Sequence, residues 1–244
     1  MRAVVAVVVL GLAAAAAAAP PARAPAKAPA KAPSAPARLY DFKGVPLEIS
    51  LDDFRRMPHP DGTDNSRVLC SGEKVAITST YSSEPTDVML FDEVEKSLGV
   101  KRCIWVSTVA ESYRRAGDTQ SLSLAASGYG TIEYSFGFVP DPKDGVLRLY
   151  LFYGTSNRNA ASDVIEALTT KWGSPKIVND KVQNRMGASF DQVTALWTNP
   201  AASITVQDRW TKIDNMAILV TSARLSEVIK RAKDAKKAAT QNPI

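Results

Sequence analysis

The chain has 244 residues, of which 45% are apolar and 23% charged, with two cysteines and one histidine. One histidine excludes multi-histidine zinc sites, and two cysteines that pair with each other would leave no thiolate site. The formal charge is +5, yet Arg2, Arg23, Lys27, Lys31 and Arg38 all precede Leu39 in a stretch without a single acid. The rest of the chain is therefore neutral, and the basic balance does not point to a nucleic-acid surface.

Residues 1–19 read as a secretory signal peptide: Met1-Arg2, an uninterrupted apolar run from Ala3 to Ala19, and small residues such as Ala16 and Ala18 at its end. An uncleaved anchor is the alternative, since the run is at the short limit for a bilayer of about 30 Å. No cysteine follows the run and Arg2 stands alone, which speaks against lipid attachment and against a twin-arginine signal. Residues 20–38 are nearly pure Ala, Pro and Lys/Arg and read as a disordered linker, an extended semi-rigid spacer. An α+β globular domain is expected over 39–240, with possible halves 39–128 and 129–240.

Export gives the cysteines a meaning. In an oxidising compartment Cys70 and Cys103 are expected to form one disulfide, two free thiols being the alternative. Their spacing is not that of a redox dithiol.

In chain order, Ser50 and Asp53 form a capping box, Ile49 and Phe54 a hydrophobic staple, and Pro58 ends a short first helix. A polar loop follows over 59–66. A second helix is expected over 92–98, stopped by Gly99, before a strand over 100–106. From 119 the chain alternates, with Leu122, Leu124 and Ala126, then Ile132, Tyr134, Phe136 and Phe138 to one side. A turn at 141–145 makes a hairpin with a strand over 146–153 that carries Leu147, Leu149 and Leu151 on one face. Ala161, Val164, Ile165, Leu168 and Trp172 mark a helix over 155–172, closed by Gly173 and Pro175. Strands follow near 176–183, 189–197, 203–210 and 216–221. A last helix covers 223 to about 238. Consecutive strands with short turns predict an antiparallel β-sheet with helices packed on one face. The runs 91–101 and 164–176 both read helix, glycine stop, lysine-started strand, an echo that two related halves would leave.

Candidate chemistry is sparse. His59, between Pro58 and Pro60, reads as a solvated loop histidine, and no nucleophile-elbow motif accompanies it. Asp61, Asp64 and Asn65 fail the EF-hand spacing and read as a polar turn. Gly128-Tyr129-Gly130 is too short for a phosphate cradle. Glu133, Asp191 and Asp208 are the carboxylates a hydrolase could use, provided that the fold brought two of them together. No catalytic, cofactor-binding or metal-ligating residue is assigned. In the last helix Arg224, Lys230, Arg231, Lys233, Lys236 and Lys237 outnumber Glu227 and Asp234, a pattern that suits a helix docked on the sheet or one lying on anionic lipid.

The joint Leu168-Thr169-Thr170-Lys171-Trp172-Gly173-Ser174-Pro175, and the run Gly44-Val45-Pro46-Leu47 before the Ser50 helix, resemble an element of small bacterial envelope proteins. The group is the SmpA/OmlA-like small proteins of outer-membrane assembly, together with uncharacterised exported envelope proteins. The resemblance implies a helix and antiparallel sheet outside the cytoplasm, and no site residues. The expected function is a non-catalytic binding module of the cell envelope, periplasmic or secreted, with another envelope protein as partner and no nucleic acid. A carboxylate-dependent hydrolase of envelope material, or an inhibitor of a secreted enzyme using exposed Tyr129 or Trp210, are the alternatives.

Overall fold

The structure is a computed structural model that describes residues 39–73, 92–109, 118–126 and 130–241. The leader and spacer readings lie outside the described residues, as do Gly128 and Tyr129.

A two-stranded ribbon, β1 (Asp41–Phe42) with β2 (Val45–Pro46), precedes α1 (Leu51–Arg56). The capping box of α1 is formed: the Ser50 Oγ accepts from the Asp53 N–H at 3.1 Å and donates to its carboxylate at 2.6 Å. Met57, forced out of helical geometry by the proline that follows, ends it at ψ 140°. The strands are β3 (Ser66–Cys70), β4 (Lys101–Val109), β5 (Asp118–Ser121), β6 (Leu124–Ala126), β7 (Gly130–Pro140), β8 (Leu147–Asn157), β9 (Lys176–Gln183), β10 (Ser189–Thr198), β11 (Ala202–Gln207) and β12 (Asn215–Ser222). They join in one antiparallel sheet of order β3-β4-β7-β8-β12-β11-β10-β9, with β5 paired to β4 and β6 to β7. Helix α3 (Ala161–Trp172) carries the chain from β8 to the far edge, from which β9 to β12 fold back against β8. Gly173, at φ +84°, closes α3 as a left-handed glycine.

The architecture is α+β with an antiparallel sheet, as expected. Helices, however, lie on both faces rather than one. On the first face Val164 and Leu168 of α3, Phe54 of α1 and Phe42 of the ribbon pack with Phe136, Phe138, Phe152, Ile204 and Val220. Phe42 stacks on Phe152 with centroids 3.8 Å apart, and Phe54 touches Trp105, Phe136 and Phe138. On the second face α2 (Glu93–Ser97) and α4 (Ala223–Gln241) meet a smaller core, in which Leu225 and Ile229 pack with Val100, Val139 and Tyr150.

A β-bulge makes the second core possible. Gly137 pairs with Leu151 but Phe138 pairs with Leu149, so Tyr150 is an extra residue in β8. Adjacent residues at a bulge can share a face. Tyr150 and Leu151 both join the α4 side, while Leu149 and Phe152 stay in the main core. The expectation of Leu147, Leu149 and Leu151 on one face is corrected accordingly. Gly137 is the seat for the tyrosine, since a Cβ there would lie 2.8 Å from the Tyr150 ring. A second correction concerns Thr155 to Asn157, which extend β8 instead of starting α3 because they pair with Asn215 to Ala217 of β12.

Cys70 and Cys103 face each other across β3 and β4, buried, with Cα atoms 4.1 Å apart, and the expected disulfide joins them. Replacing both by alanine should lower unfolding free energy by roughly 3 to 4 kcal/mol, the chain-entropy value for a closed loop of 33 residues, measured by denaturant titration. Gly154 gives a second expectation, because its Cβ would lie 2.7 Å from Ile132 Cγ2 in the main core. Gly154→Ala should cost about 1 to 3 kcal/mol in the same assay, the usual penalty of overpacking.

Candidate functional site

The residues singled out for chemistry are taken up mostly by the structure itself. His59 is 3% exposed, not solvated. Its ring meets Trp105 edge-on at 5.6 Å, its Nδ1 accepts the Asp61 N–H at 3.3 Å, and its Nε2 is buried without a hydrogen-bond partner. With Nδ1 accepting, the neutral ring carries its proton on Nε2. This pocket exists because β4 and β7 pair only from Lys101 to Cys103 and then separate. Beyond that point the Trp105 N–H donates to the Tyr134 hydroxyl at 3.2 Å and its carbonyl accepts from Leu122. Asp61 seals the rim by accepting from the Ala125 N–H at 2.6 Å and pairing with Lys43. Burial alone would raise its carboxyl, and Lys43 with the Ala125 amide more than offsets this, so it titrates below the usual carboxylate range. Burial lowers the His59 imidazole and raises the Tyr134 phenol.

Asp64 and Asn65 sit in an exposed turn, Asn65 at φ +55°. Among the described residues no group of three or more His, Cys, Asp or Glu side chains is placed to hold a metal. Glu133 is exposed on β7 and Asp191 is an exposed partner of Lys181. Asp208 is buried, one oxygen accepting the Val193 N–H at 2.8 Å and the other facing Arg158 at 3.2 Å. It lines a recess of about 510 Å³ at the start of α3, in which Arg158 is the other charged wall.

Arg224, Lys230, Arg231 and Lys233 of α4 are matched in the same way. Arg224 bridges Asp141 at 2.8 Å and Glu48 at 2.7 Å, tying the β7–β8 turn and the segment before α1 to the helix. Burial alone would raise the Asp141 carboxyl, and the Lys143 amide and Arg224 guanidinium hold it below its ordinary value instead. Lys233 reaches Asp92 at 2.6 Å, and Glu227 serves Arg231 and Lys230. Beneath them Glu95, Arg102 and Tyr150 form a buried polar cluster, with Arg102 2.9 Å from Glu95 and the Tyr150 hydroxyl donating to Glu95 at 3.1 Å. The apolar stripe of α4 thus serves docking on the sheet.

What remains unused is a surface. Side chains alternate between faces along each strand, and register places Tyr153, Leu219, Thr205 and Leu196 in one row across β8, β12, β11 and β10, on the face that α4 shares. The neighbouring row runs Thr155, Ala217, Gln207, Thr194 and Val178. Helix α4 reaches Tyr150 and Leu151, but Tyr153, Leu196 and Leu219 belong to neither core. Trp210, 37% exposed, borders the row and donates its indole N–H to the Tyr153 hydroxyl at 3.1 Å. The Arg209 guanidinium lies over the Phe190 ring at 5.1 Å. At the margin Val178 of β9 is 38% exposed on this face, whereas Ile177, 46% exposed, registers with Ala195 and turns to the other side. Of these residues the sequence reading singled out Trp210 alone. Leu196 and Leu219 carry no signal of their own, since any leucine in a strand reads as core. The chain matches no family model, no curated protein and no solved structure.

The His59 pocket carries a pH expectation. A histidine whose folded value is depressed contributes stability that is full above its unfolded value, near 6.5, and falls as pH drops below it. Denaturation midpoints should decline from about pH 6.5 to 5.5, before carboxylates protonate, and His59→Phe should flatten this decline. An equal slope in the variant would assign it to other groups.

Proposed function

We propose that the chain is an exported, non-catalytic binding module of the cell envelope, periplasmic or secreted, that holds another envelope protein on the bare part of its sheet. The observation that carries this reading is the half-exposed row Tyr153, Leu219, Thr205 and Leu196, none of whose residues joins either core. An antiparallel sheet commonly turns one face to water, and that face is then polar. Here threonines share it with two leucines, a tyrosine and the adjoining tryptophan, the composition of a contact surface.

Three features support the setting. The first nineteen residues have the parts of a secretory leader. The Cys70–Cys103 bridge suits an oxidising compartment. The Pro/Ala/Lys stretch over 20–38, if extended at about 3.1 Å per residue, gives the domain reach. The likeness of the 168–175 joint to SmpA/OmlA-like envelope proteins points the same way. No described helix is long and apolar enough to cross a membrane.

Site-specific photocrosslinking in the producing cell tests the surface. A photoreactive residue at Leu219 or Thr205 should give one discrete heavier adduct, and the same residue at Glu166 on the exposed side of α3 should not. Leu196→Lys should remove the Leu219 adduct. Adducts of equal yield from all three positions, or from none, would overturn the reading.

A further inference from the structure

The bare face ends at β9, the last strand of the sheet, and the hydrogen-bond pattern of that strand fixes what can pair with it. The Asn184 N–H donates to the Ala188 carbonyl at 3.0 Å, so this pair at the tip of the β9–β10 hairpin is a hydrogen-bonded one. Such pairs alternate with non-bonded pairs along an antiparallel ladder, and the β9–β10 register is unbroken from Gln183–Ser189 to Lys176–Leu196. Lys176, Val178, Asp180 and Val182 therefore turn their backbone groups toward β10. Ile177, Asn179, Lys181 and Gln183 turn theirs outward. The Lys181 N–H agrees, since it donates to the carboxylate of its neighbour Asp180 at 2.7 Å. Every β9 residue except Val182 is exposed, and neither a bulge nor a proline interrupts the strand. An edge of this kind is a template for another strand.

We propose that the strand is supplied by a second copy of this chain, β9 pairing antiparallel with β9 about a twofold axis at Val178. Outward groups can only pair with outward groups, so the axis must pass through a residue and not between two. An axis at Asp180 sets two aspartates opposite each other, and one at Lys181 sets two lysines. At Asn179 the charged Asp180 faces Val178 and Lys176 faces Val182. At Val178, by contrast, Lys176 faces Asp180 of the second copy on both sides of the axis, Val178 faces its own counterpart, and Ile177 exchanges backbone hydrogen bonds with Asn179. Opposite charges directly across strands are stabilising and like charges are not. Of these registers, only the one at Val178 matches charge to charge.

The inference rests on the proposed binding face and extends it. Lys176 and Val178 lie opposite Leu196 and Thr194 and share their side of the sheet. A twofold axis perpendicular to the sheet keeps both bare faces on the same side. Two half-surfaces become one, with two Tyr153–Leu219–Leu196 rows and the gain that bivalency brings. A contact made by one strand pair is well below the standard interface of about 1,600 Å², so the dimer is a weak, concentration-dependent one.

Sedimentation velocity on the intact chain from about 1 μM to about 1 mM should show monomer passing to dimer. Lys176→Glu and Asp180→Lys should each weaken association about tenfold, and K176E combined with D180K should restore it. Because the described cysteines are bonded to each other, Val178→Cys introduces an unpaired thiol; mild oxidation should link it to its copy, whereas Lys181→Cys should give no linked species. A monomer at every concentration with no linked V178C species overturns the proposal, and so does a dimer indifferent to both charge variants. Neither result touches the crosslinking from Leu219, which tests the face itself.

Discussion

Tyr150 enters β8 where β7 offers no partner, and much of the molecule's layout follows from that extra residue. Strict alternation along β8 would send residues singly to each face. The bulge instead directs Tyr150 and Leu151 together toward α4, while Leu149 and Phe152 keep their places against α1 and the ribbon. Gly137 leaves room for the ring, and the hydroxyl reaches Glu95, which Arg102 also holds. A buried ion pair rarely stabilises a fold outright, because desolvation offsets the Coulomb gain. Its use here is positional: α2, α4, β4 and β8 meet at one point, with Lys233 completing the set from α4.

The same geometry explains what α4 leaves uncovered. The helix leaves the end of β12 and packs its apolar stripe toward Val100, Val139 and Tyr150, on the β4 and β7 side of the sheet. The strands β11, β10 and β9 lie the other way in sheet order, and Thr205, Thr194 and Leu196, on the α4 side of β11 and β10, join neither core. The opposite face of β10 and β11 is covered, with Ala195, Trp197, Ile204 and Val206 all in the main core beside α3. These strands are thus two-faced in the usual antiparallel sense, and the presence of Leu196 and Leu219 on the outer side is the feature that ordinary solvation does not require.

Local chemistry was legible in the sequence wherever the deciding partners are close along the chain. The Ser50–Asp53 box, Gly99 after α2, Gly173 before Pro175 and the alternation from Ile132 to Phe138 all act within one or two turns or along one strand. The errors have a common physical origin in distant partners. Thr155 to Asn157 are strand because Asn215 to Ala217 lie beside them, and local propensity cannot register that. His59 is buried because Trp105 closes over it from a strand that departs from β7 at that point, leaving a wedge lined by aromatic rings. A bulge is equally silent, since one extra residue alters no composition and only shifts phase. The candidate surface was the least legible element of all. Its residues are ordinary strand residues, and they become a surface only once the direction of α4 is known.

Charge completes the account. Several cations pair with acids from other elements, Arg224 of α4 with Glu48 and Asp141, Lys171 of α3 with Asp41, and Arg158 just before α3 with Asp208. These half-exposed pairs each contribute little to stability, and their effect is to fix which element sits where. Lys176 and Asp180 of β9 differ in kind. Lys176 has no ion-pair partner among the described residues, and Asp180 contacts the amide of the next residue. Charges on an edge strand ordinarily repel an incoming strand. Spaced four apart with opposite sign, they also select one: a strand running the other way in the register that sets each against the other. An edge made only for protection would gain nothing from opposite signs, and one made for a particular partner would need them.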